Sequence, residues 1–156
     1  MIKRMPNHTN DESCPSCVIA GDFIFLSHHT GGFESNDVVY QMNACFQKLQ
    51  ETLKSTGATL HDMVQINLYL RNIEDIKPVR EVFFKYFNIN GFPARTSITT
   101  DFVNKECLCM LDGIAYKITK KAQAEAFLHE ASLFKQKSFL TSPIKAEQPS
   151  VSNQKT

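Results

Sequence analysis

Apolar residues recur with strand-like and helix-like periods in the order ββαβαββ, which predicts an α+β fold with two amphipathic helices on one face of a mixed sheet. Three observations carry this reading. Residues 63–72 alternate strictly, with Val64, Ile66, Leu68 and Leu70 on one side and Gln65, Asn67, Tyr69 and Arg71 on the other. Residues 35–56 place Val38, Met42, Cys45, Phe46, Leu49 and Leu53 at spacings of three and four, one apolar helical stripe. The run Cys107 to Ala115 is apolar on both parities, as expected of a central strand covered on both faces.

The elements follow in chain order. Residues 1–13 are polar and read as a flexible start. Two β-prone runs between Cys17 and Ser27 flank Gly21-Asp22, a two-residue hairpin turn. Ser35 or Asn36 can cap the first helix, and Gly57 suits the left-handed residue that ends it. After the 63–72 strand, a second helix over 76–87 tolerates Pro78 in its first turn and turns Ile76, Val79, Phe83 and Phe87 inward. Gly91-Phe-Pro-Ala94 breaks it, and strands near 94–100 and 106–118 close a domain spanning 14–119. Residues 120–136 read as an appended helix with Ala124, Phe127, Leu128, Ala131 and Phe134 on one stripe. Residues 137–156 read as a disordered tail.

Composition narrows the function classes. A chain of 156 residues with 42% hydrophobic residues holds one core. Lys and Arg number 17 against 16 Asp and Glu, so the strong basic excess of an electrostatic nucleic-acid binder is missing. No stretch approaches the roughly 18 apolar residues of a membrane span, and Met1-Ile2-Lys3-Arg4 leads into polar sequence rather than a signal peptide. The expectation is a cytoplasmic protein with neither nucleic-acid nor membrane partners, its five cysteines reduced.

Four groups of residues invite chemistry. Cys14-Pro-Ser-Cys17 has the spacing of a zinc or redox pair, yet it precedes a hairpin rather than a helix and lacks a matching second pair; no metal site is expected. Ser27-His28-His29 ends a strand, where adjacent imidazoles diverge and only one can enter a given pocket; surface or partly satisfied histidines are the plainer reading. Asp112 interrupts an apolar strand, so its carboxylate needs a cation from a neighbouring strand, a hydrogen-bond donor or a wet pocket. Arg95 follows Phe92-Pro-Ala94 at a strand mouth, where its guanidinium can fork onto a carboxylate or form a surface salt bridge.

Taken together, Gly21-Asp-Phe-Ile-Phe-Leu-Ser27, Leu53-Lys-Ser-Thr-Gly57, Asp62-Met-Val-Gln-Ile-Asn-Leu-Tyr-Leu70, Val82-Phe-Phe-Lys-Tyr-Phe87, Phe92-Pro-Ala-Arg-Thr96 and Leu111-Asp-Gly-Ile-Ala115 resemble the RidA/YjgF family of reactive-intermediate deaminases, also called endoribonuclease L-PSP. The resemblance runs from about Cys14 to Ile118. It implies a chorismate-mutase-like α+β fold, a homotrimer with ligand clefts between subunits, and cofactor-free hydrolysis of enamines and imines to a 2-keto acid and ammonia. It makes Arg95 the clamp for the substrate carboxylate.

Other positions depart from the family pattern. Ser27-His28-His29 stands for Ser-Gly-Gln, which brings Ser27 and His28 to the ligand. Arg80 replaces an Asn on the second helix, Ser97 replaces a Cys, and the first acid of a Glu-x-Glu pair becomes Met110, with Asp112 matching the second. Methionine cannot accept a proton from attacking water, so His28 or Asp112 must do so if hydrolysis survives. Three functions follow: an imine hydrolase built on Asp112, His28, Arg95, Arg80, Ser27 and Ser97; a non-catalytic trimer that binds small carboxylates; and an RNA-cleaving or partner-binding role, which the near-neutral charge disfavours.

Overall fold

The structure is a computed structural model that describes residues 1–9, 11–118 and 124–133. The chain divides into two compact units, Met1–Lys117 and Ile118–Thr156. The first holds β1 (Ile2–Arg4), β2 (Cys17–Ala20), β3 (Phe23–His29), α1 (Val38–Ser55), β4 (Met63–Leu70), α2 (Ile76–Tyr86), β5 (Ala94–Thr99) and β6 (Cys109–Tyr116). The strands form one sheet in the order β1-β2-β3-β6-β4-β5. Every pairing is antiparallel except β4 with β5, whose connection through α2 supplies the crossover that a parallel pair requires. In the second unit, residues 124–133 are helical; Phe134 and residues 137–156 lie outside the described residues. No described helix is long and apolar enough to cross a membrane.

The expected helices and strands are present, and the expected central strand, β6, runs between β3 and β4. The flexible start is corrected at Ile2–Arg4, which pair with Val18, Ile19 and Ala20 of β2. All three side chains are exposed, so backbone pairing rather than burial holds β1, and no apolar pattern marks it. The cap of α1 is Asp37 rather than Ser35 or Asn36: its Oδ1 accepts from the amides of Val39 at 2.7 Å and Tyr40 at 3.2 Å. A carboxylate there also meets the positive end of the helix. Gly57 takes the left-handed conformation expected after the helix, with φ +76°.

The stripe of α1 is buried as expected, and Phe46 is its hub. Its ring lies 4.9 Å from Phe83 edge-on, 4.3 Å from Tyr86 in a stack and 5.9 Å from Phe87. These contacts lock α1 to α2.

The alternation of β4 breaks at its start. Ile66, Leu68 and Leu70 face the helices, but Met63 is buried in place of Val64, which is 45% exposed. A register shift between Met63 and Gln65 inserts the extra residue of a β-bulge, and the side-chain phase flips across it. Gly113 on β6 permits the close approach: a methyl group there would overlap the Gln65 carbonyl oxygen and crowd the Met63 side chain.

Register then assigns the candidate residues to faces. Arg95 and Ser97 sit beside Ile66 and Leu68, on the helix side. Asp112 sits beside Asn67 and Met110 beside Tyr69, on the opposite side.

Candidate functional site

On the side away from the helices, the β4–β6 pair presents a short polar network. Asp112 accepts from Asn67 Nδ2 at 2.6 Å and from the Tyr69 hydroxyl at 2.9 Å, one donor for each carboxylate oxygen. Both donors are neutral, so the cation from a neighbouring strand expected for Asp112 is replaced by side-chain donors. Burial, followed by the bond to Asp112 and its charge, raises the Tyr69 pKa, so the phenol stays protonated and donates. Tyr69 and Met110 also line a cavity of about 580 Å3, which His28, Phe33, Ile98 and Phe102 help to wall. The segment following β5 that shapes this cavity is anchored twice. Arg71 donates from Nε to the Cys107 carbonyl at 2.9 Å and from a terminal nitrogen to that of Asn104 at 3.1 Å. The fully buried Gln41 donates from Nε2 to the carbonyls of Ser35 and Glu106, both at 2.9 Å, while its Oε1 accepts from the Leu108 amide at 2.8 Å.

The two adjacent histidines diverge as strand geometry requires. His28 lines the cavity, whereas His29 is fully buried, so of the two plainer readings the surface one does not hold for His29. His29 donates from Nδ1 to the Ser27 carbonyl at 2.7 Å and accepts at Nε2 from the Thr52 hydroxyl at 2.8 Å. His8 stacks on it at 4.4 Å and donates from Nε2 to the His28 carbonyl at 2.8 Å. Burial first, then the neighbouring His8, pushes the His29 pKa down to about 4; burial lowers that of His8 as well. Ser27, expected at the ligand, spends its hydroxyl on the Pro15 carbonyl. Cys17 is buried in the core while Cys14 is half-buried, so the two do not act as an exposed pair.

A second cleft, of about 280 Å3, opens between α2 and the start of β5. Arg80, Phe83 and Phe84 come from one face of α2, at the three- and four-residue spacing of helical neighbours. Phe92, Pro93 and Arg95 complete it. The Arg95 guanidinium lies over the Phe83 ring, 4.9 Å from its centroid, a cation–π contact that fixes its position. Although much of the side chain remains open to solvent, desolvation against this wall and then the Arg80 cation lower its pKa from the ordinary value. Ser97 lies two residues further along the same side of β5 and does not line the cleft.

Within one chain, then, the predicted residues fall into two sets: Arg80 and Arg95 share the helix-side cleft, and His28 and Asp112 belong to the opposite side. Asp112 therefore does not stand between the two arginines. Tyr69, Asn67, Gln41, Arg71, His8 and Thr52 were not singled out from the sequence. Tyr69 and Asn67 carried a usable signal: polar residues two apart on the uncovered side of an alternating strand share a face with whatever lies opposite.

The model of the family described as endoribonuclease L-PSP matches residues 15–117. A RutC family protein of Pyrococcus abyssi is 29% identical over 103 residues, which cover 62% of this chain and 80% of that protein. A protein of Dermatophagoides farinae named 2-iminobutanoate/2-iminopropanoate deaminase is 25% identical over 87 residues, covering 52% of this chain and 67% of its own. Among solved structures, a YjgF-family protein of Streptococcus pyogenes superposes with a TM-score of 0.69 at 30% identity, over 76% of this chain and 98% of that one. The architecture is thus the chorismate-mutase-like α+β fold expected from the sequence, and the chain belongs to the endoribonuclease L-PSP family, the RidA/YjgF proteins.

Proposed function

We propose that this protein binds small 2-imino and 2-keto carboxylates through Arg95 and hydrolyses the imines, as the name of the Dermatophagoides relative suggests. One observation carries the reading: Arg95 is held over Phe83 in an aromatic-walled cleft that, among the described residues, no acidic side chain lines, so its charge is available to a ligand carboxylate. In the reaction, water adds to the C=N carbon, and the carbinolamine expels ammonia to leave the keto acid. Arg95 holds the carboxylate in place. Asp112, reached through its Tyr69 partner, accepts the proton of the attacking water and returns it to the departing nitrogen, and His28 is the second base, in the cavity that Tyr69 also lines. No cofactor enters these steps.

Because Arg95 and Asp112 lie on opposite sides of the sheet, a complete site requires a second subunit, and a homotrimer is the assembly proposed. Two surfaces suit it. The aromatic rings of Phe23, Phe25 and Tyr116 are 45%, 45% and 39% exposed on the Asp112 side of the sheet. Strand β5, whose outer edge is unpaired among the described residues, is exposed on both faces. Buried, unbonded thiols, with the Cys45 and Cys109 sulfurs 4.0 Å apart, suit a reducing compartment such as the cytoplasm.

A non-catalytic carboxylate-binding trimer is the second reading, favoured by Met110 beside Tyr69 and by the donors already occupying both oxygens of Asp112. A coupled assay with freshly generated 2-iminobutanoate, scored as ammonia release, separates the two. Acceleration by wild type, reduced by roughly 30- to 1000-fold in Arg95→Ala, supports the hydrolase, that range following from truncating one partner of a bidentate, partly buried ion pair. Binding of 2-oxobutanoate without turnover supports the second reading. Equal binding by wild type and Arg95→Ala refutes both.

A further inference from the structure

We propose that Arg80 is a second anion contact in the Arg95 cleft, and that the cleft selects short dicarboxylates over monocarboxylates of the same chain length. The inference rests on the carboxylate reading of Arg95 and adds the class of ligand. Its basis is an imbalance of charge. Two guanidiniums, Arg80 on α2 and Arg95 on β5, line one small cleft, and the rest of its lining is Phe83, Phe84, Phe92 and Pro93. The Arg80 cation lowers the Arg95 pKa, and no carboxylate acts on Arg95 to offset it. Asp112, the acid that could have stood between them, is on the other side of the sheet with both oxygens engaged by Asn67 and Tyr69.

Neither arginine can relieve the repulsion by losing its proton, because a guanidinium remains charged at any physiological pH. One ligand carboxylate would compensate one of the two cations. A ligand with a carboxylate at each end compensates both, with Phe83, Phe84 and Phe92 against its carbon chain. Size agrees: a cavity of about 280 Å3 lies just below the ~300–1,000 Å3 range of pockets for drug-sized ligands and suits a five-carbon acid. The two cations come from different elements, Arg80 from α2 and Arg95 from β5, and the Arg95 guanidinium is held on Phe83. Arg80 is therefore a specificity-determining residue, while Arg95 supplies affinity common to both ligand classes.

The test is calorimetric titration of the full chain with 2-oxoglutarate and with 2-oxopentanoate, acids of equal length that differ in the second carboxylate. Wild type, Arg80→Asn, Arg80→Lys and Arg95→Ala are compared. Arg80 is exposed on its helix, so its substitutions leave the core intact. Wild type should prefer the diacid about ten-fold, equivalent to about 1.4 kcal/mol. Arg80→Asn should erase that preference by weakening the diacid more than the monoacid, Arg80→Lys should retain part of it, and Arg95→Ala should weaken both ligands. Equal wild-type affinities for the two acids, with Arg95→Ala still weakening both, overturn the dicarboxylate proposal and leave the carboxylate reading standing. A diacid preference that survives in Arg80→Asn overturns the role of Arg80. Binding of neither acid, or indifference to Arg95→Ala, removes the carboxylate reading and the proposal with it.

Discussion

Acidification from pH 7 to pH 5 should destabilise the fold through His29. Its imidazole is fully buried, donates from Nδ1 to the Ser27 carbonyl and accepts at Nε2 from Thr52, so the native site favours the neutral ring. His8 stacked at 4.4 Å, with His28 and Lys48 nearby, adds positive charge that disfavours protonation further. The native pKa is about 4 against an ordinary 6.5, lowered chiefly by burial. A histidine whose pKa is depressed by folding contributes its full stability above pH 6.5. Below that, the unfolded chain takes up a proton that the native state refuses, and stability falls until the native pKa is reached. Linkage over this window gives a loss of about 2 kcal/mol between pH 7 and pH 5, approaching about 3 kcal/mol at pH 4. The assay is urea unfolding at fixed protein concentration from pH 7.5 to 4.5, for wild type and His29→Gln. Carboxylates titrate alike in both, so the difference between the two curves reports His29 together with the histidines coupled to it, His8 first. The variant should be less stable at pH 7 and have a visibly shallower decline. Parallel curves for the two proteins would refute the argument.

Gly113→Ala should cost about 3 kcal/mol or more, because its methyl group would overlap the Gln65 carbonyl at the β4 bulge, where backbone cannot yield; a shift in the urea midpoint measures it. Gln41→Leu should leave the carbonyls of Ser35 and Glu106 and the amide of Leu108 without their shared partner, destabilising by about 2–4 kcal/mol and speeding Leu108 amide exchange selectively.

Secondary structure was legible wherever one face of an element is buried. The α1 stripe from Val38 to Leu53 and the Ile66-Leu68-Leu70 alternation each encode a covered side, and both emerged in the expected phase. The misses share a cause: β1 is held by backbone pairing alone, and the bulge at Val64 depends on a close approach to Gly113 that is more than forty residues away in sequence. The same limit applied to the site. Arg95 and Arg80 could be picked from a motif and a departure from it, but which side of the sheet each candidate occupies depends on the register of β5 and β6 against β4. That register is a tertiary property. The partners of Asp112 were hidden for the same reason, since Asn67 and Tyr69 meet it only once β6 lies beside β4.

The position of β6 also has a kinetic consequence. Strands β3 and β4 never pair with each other; β6, the last strand in the chain, lies between them and bonds to both. During synthesis the β2–β3 hairpin and the β4–α2–β5 unit can each begin to form locally, but they remain separate half-sheets until residues 109–116 have emerged. Until then the inner edges of β3 and β4 are open and the stripe of α1 has no finished surface to cover. The strand that joins the halves also carries Met110 and Asp112, so the polar network facing the cavity comes into being in the same step as the sheet itself.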